Sequence, residues 1–135
     1  MFVLDEYIRY FKILIKARDQ AVEAIREAVK TRKIIRGWEV DDITRGVISN
    51  EGLDTFYLHR TGHTLSSSFF AYGVNLDNLE TRDDRPIIPG LCLSIGPGIF
   101  FSDYGLKTEI NVYTDKKGIH LSTSSVQKEI YQIVI

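Results

Sequence analysis

Two histidines four residues apart, His59 and His63 in "HRTGHTLSSSFF", carry the side chains best suited to grip a cation or move a proton. An imidazole pair at that spacing looks like a metal site being assembled, but a catalytic zinc keeps three protein ligands. The seven residues after His63 supply no further ligand. His120 sits at a later hairpin with no evident partner. The single cysteine, Cys92, lies between Leu91 and Leu93 and reads as a buried small hydrophobe, not half of a disulfide. No serine or cysteine nucleophile with a recognisable base accompanies them.

The elements that must hold these residues divide the chain in two. Leu4, Ile8, Phe11, Ile15, Val22, Ile25 and Val29 recur at alternating steps of three and four, broken only by Arg18, and predict one long amphipathic helix. Tyr7, Leu14, Ala21 and Ala28 widen that stripe, so the helix should lie on a broad surface such as a sheet. Arg26, Lys30, Arg32, Lys33 and Arg36 gather before Gly37 breaks the pattern, which reads as a solvated basic helix end. A second helix is expected over 39–50, with Val40, Ile43, Val47 and Ile48 on one side and "NEG" as its stop. After Gly52 no helical period survives. "DTFYLHRT" and "LCLSIGPGIFF" are strand candidates, "LKTEINVYT" should pair with "GIHLST" across the "DKKG" turn, and "EIYQIVI" closes as a strand or short helix. The turn-rich "AYGVNLDNLETRDDRPIIPG" should be a surface loop.

At 135 residues the chain has room for a single domain, 1–135, around one core. Its 17 basic and 18 acidic side chains leave a net charge of -1, so no global charge recruits nucleic acid or membrane. The start has no cationic leader followed by an apolar segment, and no apolar run approaches a membrane span. With one cysteine, a reducing cytoplasmic setting is expected.

In order and spacing, "VDDITR", "HRTGH", "LSIGPGIFF" and "YGLKTEINVYTDKKGIHLST" resemble the second, C-terminal half of the pita-bread hydrolases. That family comprises Xaa-Pro dipeptidases, aminopeptidase P, methionine aminopeptidases and the metal-free creatinases. The resemblance implies an α+β fold, two N-terminal helices packed on a curved antiparallel sheet, making half of a pita-bread domain. It also implies two divalent metals held by two aspartates, a histidine and two glutamates, with a metal-bridged water as the attacking species.

Carried onto this chain, the metal histidine falls on His63 and the last glutamate on Glu109, while the other glutamate falls on Gly96, which has no side chain. Both aspartates would lie upstream of Met1. Phe70 stands where the family has a substrate-binding histidine, and Ala71 where an acidic residue follows. The expectation is therefore of no cofactor and no confident catalytic residue, with His63 and Glu109 as vestiges. His63 is then a strand histidine bonded to Glu109 or to a backbone carbonyl. Phe69, Phe70, Tyr72, Phe100, Phe101 and Tyr104 would fill the old site with apolar packing, or form a groove gripping an apolar side chain or proline ring. A lone half needs its exposed sheet covered, so a homodimer or a complementary half-domain is the expected partner, with peptide as a candidate ligand. The competing reading is an enzyme: a fragment or split half completed in trans, or a creatinase-like hydrolase using His63 and Glu109 as acid and base.

Overall fold

The computed structural model describes residues 3–67, 72–131 and 133. Two helices come first, α1 (Asp5–Thr31) and α2 (Gly37–Ser49), followed by a 3-10 turn at Asp54–Phe56. Seven strands complete the order: β1 (Gly62–Leu65), β2 (Asn75–Leu76), β3 (Cys92–Ile95), β4 (Gly98–Phe100), β5 (Gly105–Lys107), β6 (Ile110–Thr114) and β7 (Ile119–Leu121). A five-stranded antiparallel sheet runs β2-β1-β3-β6-β7, and β4 pairs with β5 in a separate ribbon. The helices pack on one face of the sheet, the expected α+β arrangement.

Asp5 and Glu6 open α1 at the positive end of its dipole, and Arg32 closes it in the left-handed conformation at φ 55°, its N–H donating to Ala28 and Val29 carbonyls. The residues it buries most deeply are Leu14, Ala17, Ala21 and Ile25. That face is rotated from the Leu4–Ile8–Ile15 stripe, because the short side chains of Ala17 and Ala21 let the helix approach its neighbours closely. Ala21 and Ile25 meet Leu93, Ile95 and Val112 of the sheet in one cluster. Leu14 and Ala17 meet Val47, Ile48, Tyr57 and Ile99 in a second.

Arg18, which interrupts the apolar pattern, is buried beside these clusters. Its guanidinium donates to Thr108 Oγ1 (2.9 Å), to the Gln127 carbonyl (3.0 Å) and to Asp19 (2.9 Å), tying the C-terminal segment to the helix. The described residues of "EIYQIVI" form neither strand nor helix; the tail lies along α1 instead.

Four other expectations are corrected. Gly37 opens α2 instead of ending α1: a Cβ there would sit 1.9 Å from the Asn75 carbonyl, and Glu39 reaches back to the Arg36 N–H (2.8 Å) as an N-terminal cap. "DTFYLHRT" is not a strand: its first residues turn on themselves through Phe56 N–H to Leu53 O and Tyr57 N–H to Asp54 O, and β1 begins only at Gly62. "LCLSIGPGIFF" divides at Gly96-Pro97, where proline lacks the donor a ladder needs. Cys92 is exposed, because the pleat that sends Leu93 and Ile95 toward the helices sends Cys92 away.

The segment 71–90 is more than a surface loop. It contributes β2 and buries Val74, Leu76, Asp77 and Asp83. Asp77 accepts from the Leu79 and Glu80 N–H groups, and Asp83 accepts from Asn75 N–H and from the Arg85 backbone and guanidinium. These carboxylates supply the partners that an irregular buried backbone would otherwise lack.

Replacing Arg18 with alanine leaves the Thr108 hydroxyl and Gln127 carbonyl without their donor, and should lower the free energy of urea unfolding by about 2 kcal/mol. Burial pushes the Asp83 carboxyl up, but the hydrogen bonds from Arg85 and Asn75 outweigh it and hold it below the ordinary carboxylate range. A lowered native value means the contribution is complete above about pH 4 and is lost as pH falls through that native value. Asp83→Asn should therefore flatten the acid limb of a melting-temperature profile while lowering stability at neutral pH.

Candidate functional site

The site lies on the sheet face turned away from the helices. In the ladder His63 of β1 stands opposite Ser94 of β3, which stands opposite Asn111 of β6. Gly96 comes two residues after Ser94 and Glu109 two residues before Asn111, and because β3 and β6 are antiparallel the period of two carries both to the same side. The resulting cleft of about 160 Å3 is lined by His59, Arg60, His63, Ser94, Gly96, Lys107 and Glu109, among others. His63, Gly96 and Glu109, the family positions carried over from sequence, thus share one cleft. Lys107 and Ser94 were not singled out from sequence, although two-residue spacing puts Lys107 beside Glu109 and Ser94 beside Gly96.

Each imidazole is tied to its own backbone. His63 Nδ1 lies 3.0 Å from the Thr64 carbonyl and His59 Nδ1 lies 2.7 Å from the Arg60 carbonyl. A carbonyl only accepts, so both Nδ1 atoms carry hydrogen and Nε2 is the ring nitrogen left for other chemistry. His59 Nε2 is shielded from solvent and has no hydrogen-bond partner among the described residues. The His59 ring stands edge-on to Tyr57 (centroids 5.3 Å apart) and to Phe100 (5.5 Å).

Glu109 Oε2 accepts from Lys107 Nζ at 2.7 Å, and both side chains are roughly half exposed, so solvent screens the pair. A Cβ at position 96 would lie 2.9 Å from both Cγ and Oε2 of Glu109. The glutamate therefore occupies the room that a side chain at 96 would take.

Can these residues hold the implied metals? Among the described residues no three His, Cys, Asp or Glu side chains are grouped to hold an ion. His63 and Glu109 offer two donors, and the carboxylate is already engaged by an ammonium. This donor set does not fit a dinuclear centre built from these residues alone.

The aromatic residues separate. Phe101 and Tyr104 turn from the cleft and pack with Tyr7, Tyr10 and Phe56 beside α1 (Phe56–Phe101 4.4 Å, Tyr7–Tyr104 4.4 Å), because β4 and β5 fold against that helix. They neither fill the cleft nor form its groove. Phe100 stays at the His59 side and is 38% exposed, whereas Tyr72 is 93% exposed and does not line the cleft. Phe69 and Phe70 lie outside the described residues. His120 does have a partner: its Nε2 is 3.1 Å from Asp115 Oδ2 and its ring stacks on Tyr113 at 4.6 Å. The neighbouring His120 imidazole is the main influence holding the Asp115 carboxyl below its ordinary value.

With the geometry in hand, comparison places the chain among known sequences and folds. The pattern of metallopeptidase family M24 matches residues 1–134. The chain is 29% identical over 109 residues to the probable dipeptidase PepE of Mycobacterium tuberculosis, covering 80% of this chain and 26% of that protein. It is 24% identical over 106 residues to an Xaa-Pro dipeptidase of Lactobacillus helveticus, covering 78% and 26%. Its fold is similar to the Xaa-Pro dipeptidase of Bacillus anthracis, with a TM-score of 0.79, 24% identity, and coverage of 96% and 34%. The chain thus spans about a quarter to a third of the length of these relatives.

Two glycines in the cleft should respond differently to a methyl group. At Gly62 an added Cβ would meet the Ser94 carbonyl at 1.8 Å, a backbone atom in the sheet's central strand. At Gly96 the obstacle is the flexible end of Glu109. Gly62→Ala should cost about 3 kcal/mol in urea unfolding, against under ~1 kcal/mol for Gly96→Ala.

Proposed function

The chain belongs to metallopeptidase family M24, and from that premise we propose that it is a degenerate Xaa-Pro-dipeptidase-like domain that has lost the dinuclear metal site. On this reading it is a non-catalytic binding or assembly module. The observation that carries it is at position 96, where glycine replaces the carboxylate the resemblance calls for and Glu109 occupies the space, neutralised by Lys107. A dinuclear site retains hard cations only when carboxylates and imidazole fill most positions. With two donors left, the activated water has nothing to form on.

The module acts with a partner. A chain corresponding to about a third of its structural relatives leaves surface that the remainder of such a fold would cover. Each Å2 of apolar surface left in water costs roughly 25 cal/mol. A second copy is the economical cover, a complementary half-domain the other, and peptide the candidate ligand of the cleft. Among the described residues no helix is long and apolar enough to cross a membrane. A cytoplasmic setting is part of the same proposal.

A second reading is favoured by that same partial coverage: the chain as a piece or split half of a peptidase, completed by donors elsewhere. His63 and Glu109 in one cleft also leave room for creatinase-like acid–base work.

The test is hydrolysis of Xaa-Pro dipeptides by the chain alone, with manganese, cobalt or zinc added, alongside calorimetric titration of each metal. The expected results are no turnover and weak metal binding, with Gly96→Glu tightening zinc about tenfold (~1.4 kcal/mol) by supplying a third donor. Turnover by the unaltered chain that His63→Ala abolishes would end the proposal. Light scattering that finds only a monomer would remove the second copy as its cover.

A further inference from the structure

We propose that Asp41 is a positioning residue for His59, fixing the backbone of residues 57–61 so that this imidazole keeps its proton on Nδ1 and offers Nε2. This goes beyond the functional reading above and holds whether or not metal is retained.

Asp41 lies in the middle of α2 and is completely buried. All its acceptor capacity is used. Oδ1 accepts from Thr61 N–H (2.9 Å) and from Thr61 Oγ1 (2.6 Å), and Oδ2 accepts from Arg45 Nε (2.6 Å) and Asn78 N–H (2.9 Å). Because the Thr61 hydroxyl gives its hydrogen to the carboxylate, the Tyr57 hydroxyl 2.7 Å away must donate to Thr61. Burial pushes the Tyr57 phenol up, so that donor stays protonated at any ordinary pH.

One turn on, Arg45 lies with its guanidinium over the Tyr57 ring at 4.3 Å and donates to the His59 carbonyl (2.7 Å) and the Tyr57 carbonyl (3.3 Å). Two residues at i and i+4 of one helix therefore hold the segment that enters β1. That segment has little ladder of its own between the 3-10 turn and Gly62. Thr61 passes the constraint on, its carbonyl accepting from the Gly96 N–H at 2.8 Å.

The convergence matters for chemistry because each histidine's Nδ1 bond goes to the next residue's carbonyl. Such a bond forms only when that carbonyl is turned toward the ring, and at Arg60 the flanking His59 carbonyl is held by Arg45 while the Thr61 N–H is shared between Asp41 and the Leu76 carbonyl (3.0 Å). A carboxamide at 41 would present N–H to two of the four donors, and the segment would have to move.

Long-range 1H–15N correlation of the imidazoles, recorded on metal-free protein near pH 8 where histidine is ordinarily neutral, reads this directly. In the unaltered chain both rings should show the Nδ1–H pattern. Asp41→Asn and Arg45→Met should each lose that pattern at His59, with helical circular dichroism retained, while His63, whose Nδ1 partner is the Thr64 carbonyl within β1, should keep it. Thr61→Ser, which keeps both donors, should preserve it. Ile25→Val, a core change on α1, should lower stability and leave the pattern intact, separating positioning from general loosening. If Asp41→Asn does not fold, Arg45→Met decides the matter. An unchanged His59 pattern in folded Arg45→Met, or an Nε2–H pattern in the unaltered chain, would overturn the assignment.

Discussion

Strand β3 sits at the centre of the sheet, and its pleat is the constraint from which the core and the cleft both follow. Leu93 and Ile95 point to α1 and close the main core; Ser94 and the following Gly96 point the other way and floor the cleft. Because the side-chain period is two, neither set can shift without the other. A slip of one residue would put a serine against Ala21 and Ile25 and a leucine beside His63. The site's geometry is therefore determined by the same hydrophobic pairing that stabilises the fold. Gly62 shows how tight the coupling is, since the Ser94 carbonyl passes within a Cβ's reach of it.

Irregular backbone is the second theme, and buried carboxylates manage it. Asp41, Asp77 and Asp83 are each nearly or wholly buried, and each accepts from main-chain N–H groups in loops or at the edge of the sheet. Two of the three also face an arginine, Arg45 for Asp41 and Arg85 for Asp83. An acid in this position replaces the missing strand partner, and the arginine compensates its charge. Arg18 is the converse: a buried cation supplying donors to carbonyl and hydroxyl groups of the tail and of Thr108.

The parts of this design that sequence discloses are those governed by period. Both helices, the β6–β7 hairpin across 115–118 and the helix-on-sheet class are written in apolar spacing and turn residues. What it conceals depends on partners remote in the chain. "DTFYLHRT" has β-forming composition, yet Arg45 and Asp41 take the polar groups a strand would have paired. Arg18 looks like a flaw in a stripe until Thr108 and Gln127 are beside it, ninety and more positions away. The acid-rich stretch 77–84 looks solvated because nothing local shows that the Asn75, Leu79 and Glu80 N–H groups will need acceptors. In the cleft, His63, Gly96 and Glu109 were legible through the family resemblance. Lys107 was not, because an ion pair within one strand looks like ordinary surface charge.

The two readings of the cleft differ in where they place positive charge. A metallopeptidase gathers carboxylates and lets cations neutralise them, so the acids repel one another until metal binds. Here one acid of that set, Glu109, already has an ammonium 2.7 Å away, and its side chain spreads into space vacated at Gly96. The ammonium competes for the oxygen an ion would need, although at this exposure solvent screens the pair. An incoming divalent cation would have to displace Lys107 and be content with two donors, against six or so oxygens and nitrogens available in water and buffer. Additional donors from another polypeptide could reverse that comparison only if they arrived together and on the same side, since each alone leaves the count short of the three a catalytic zinc keeps. The Lys107–Glu109 pair and the short donor count bear on the same question, which the proposed reading answers in favour of recognition over hydrolysis.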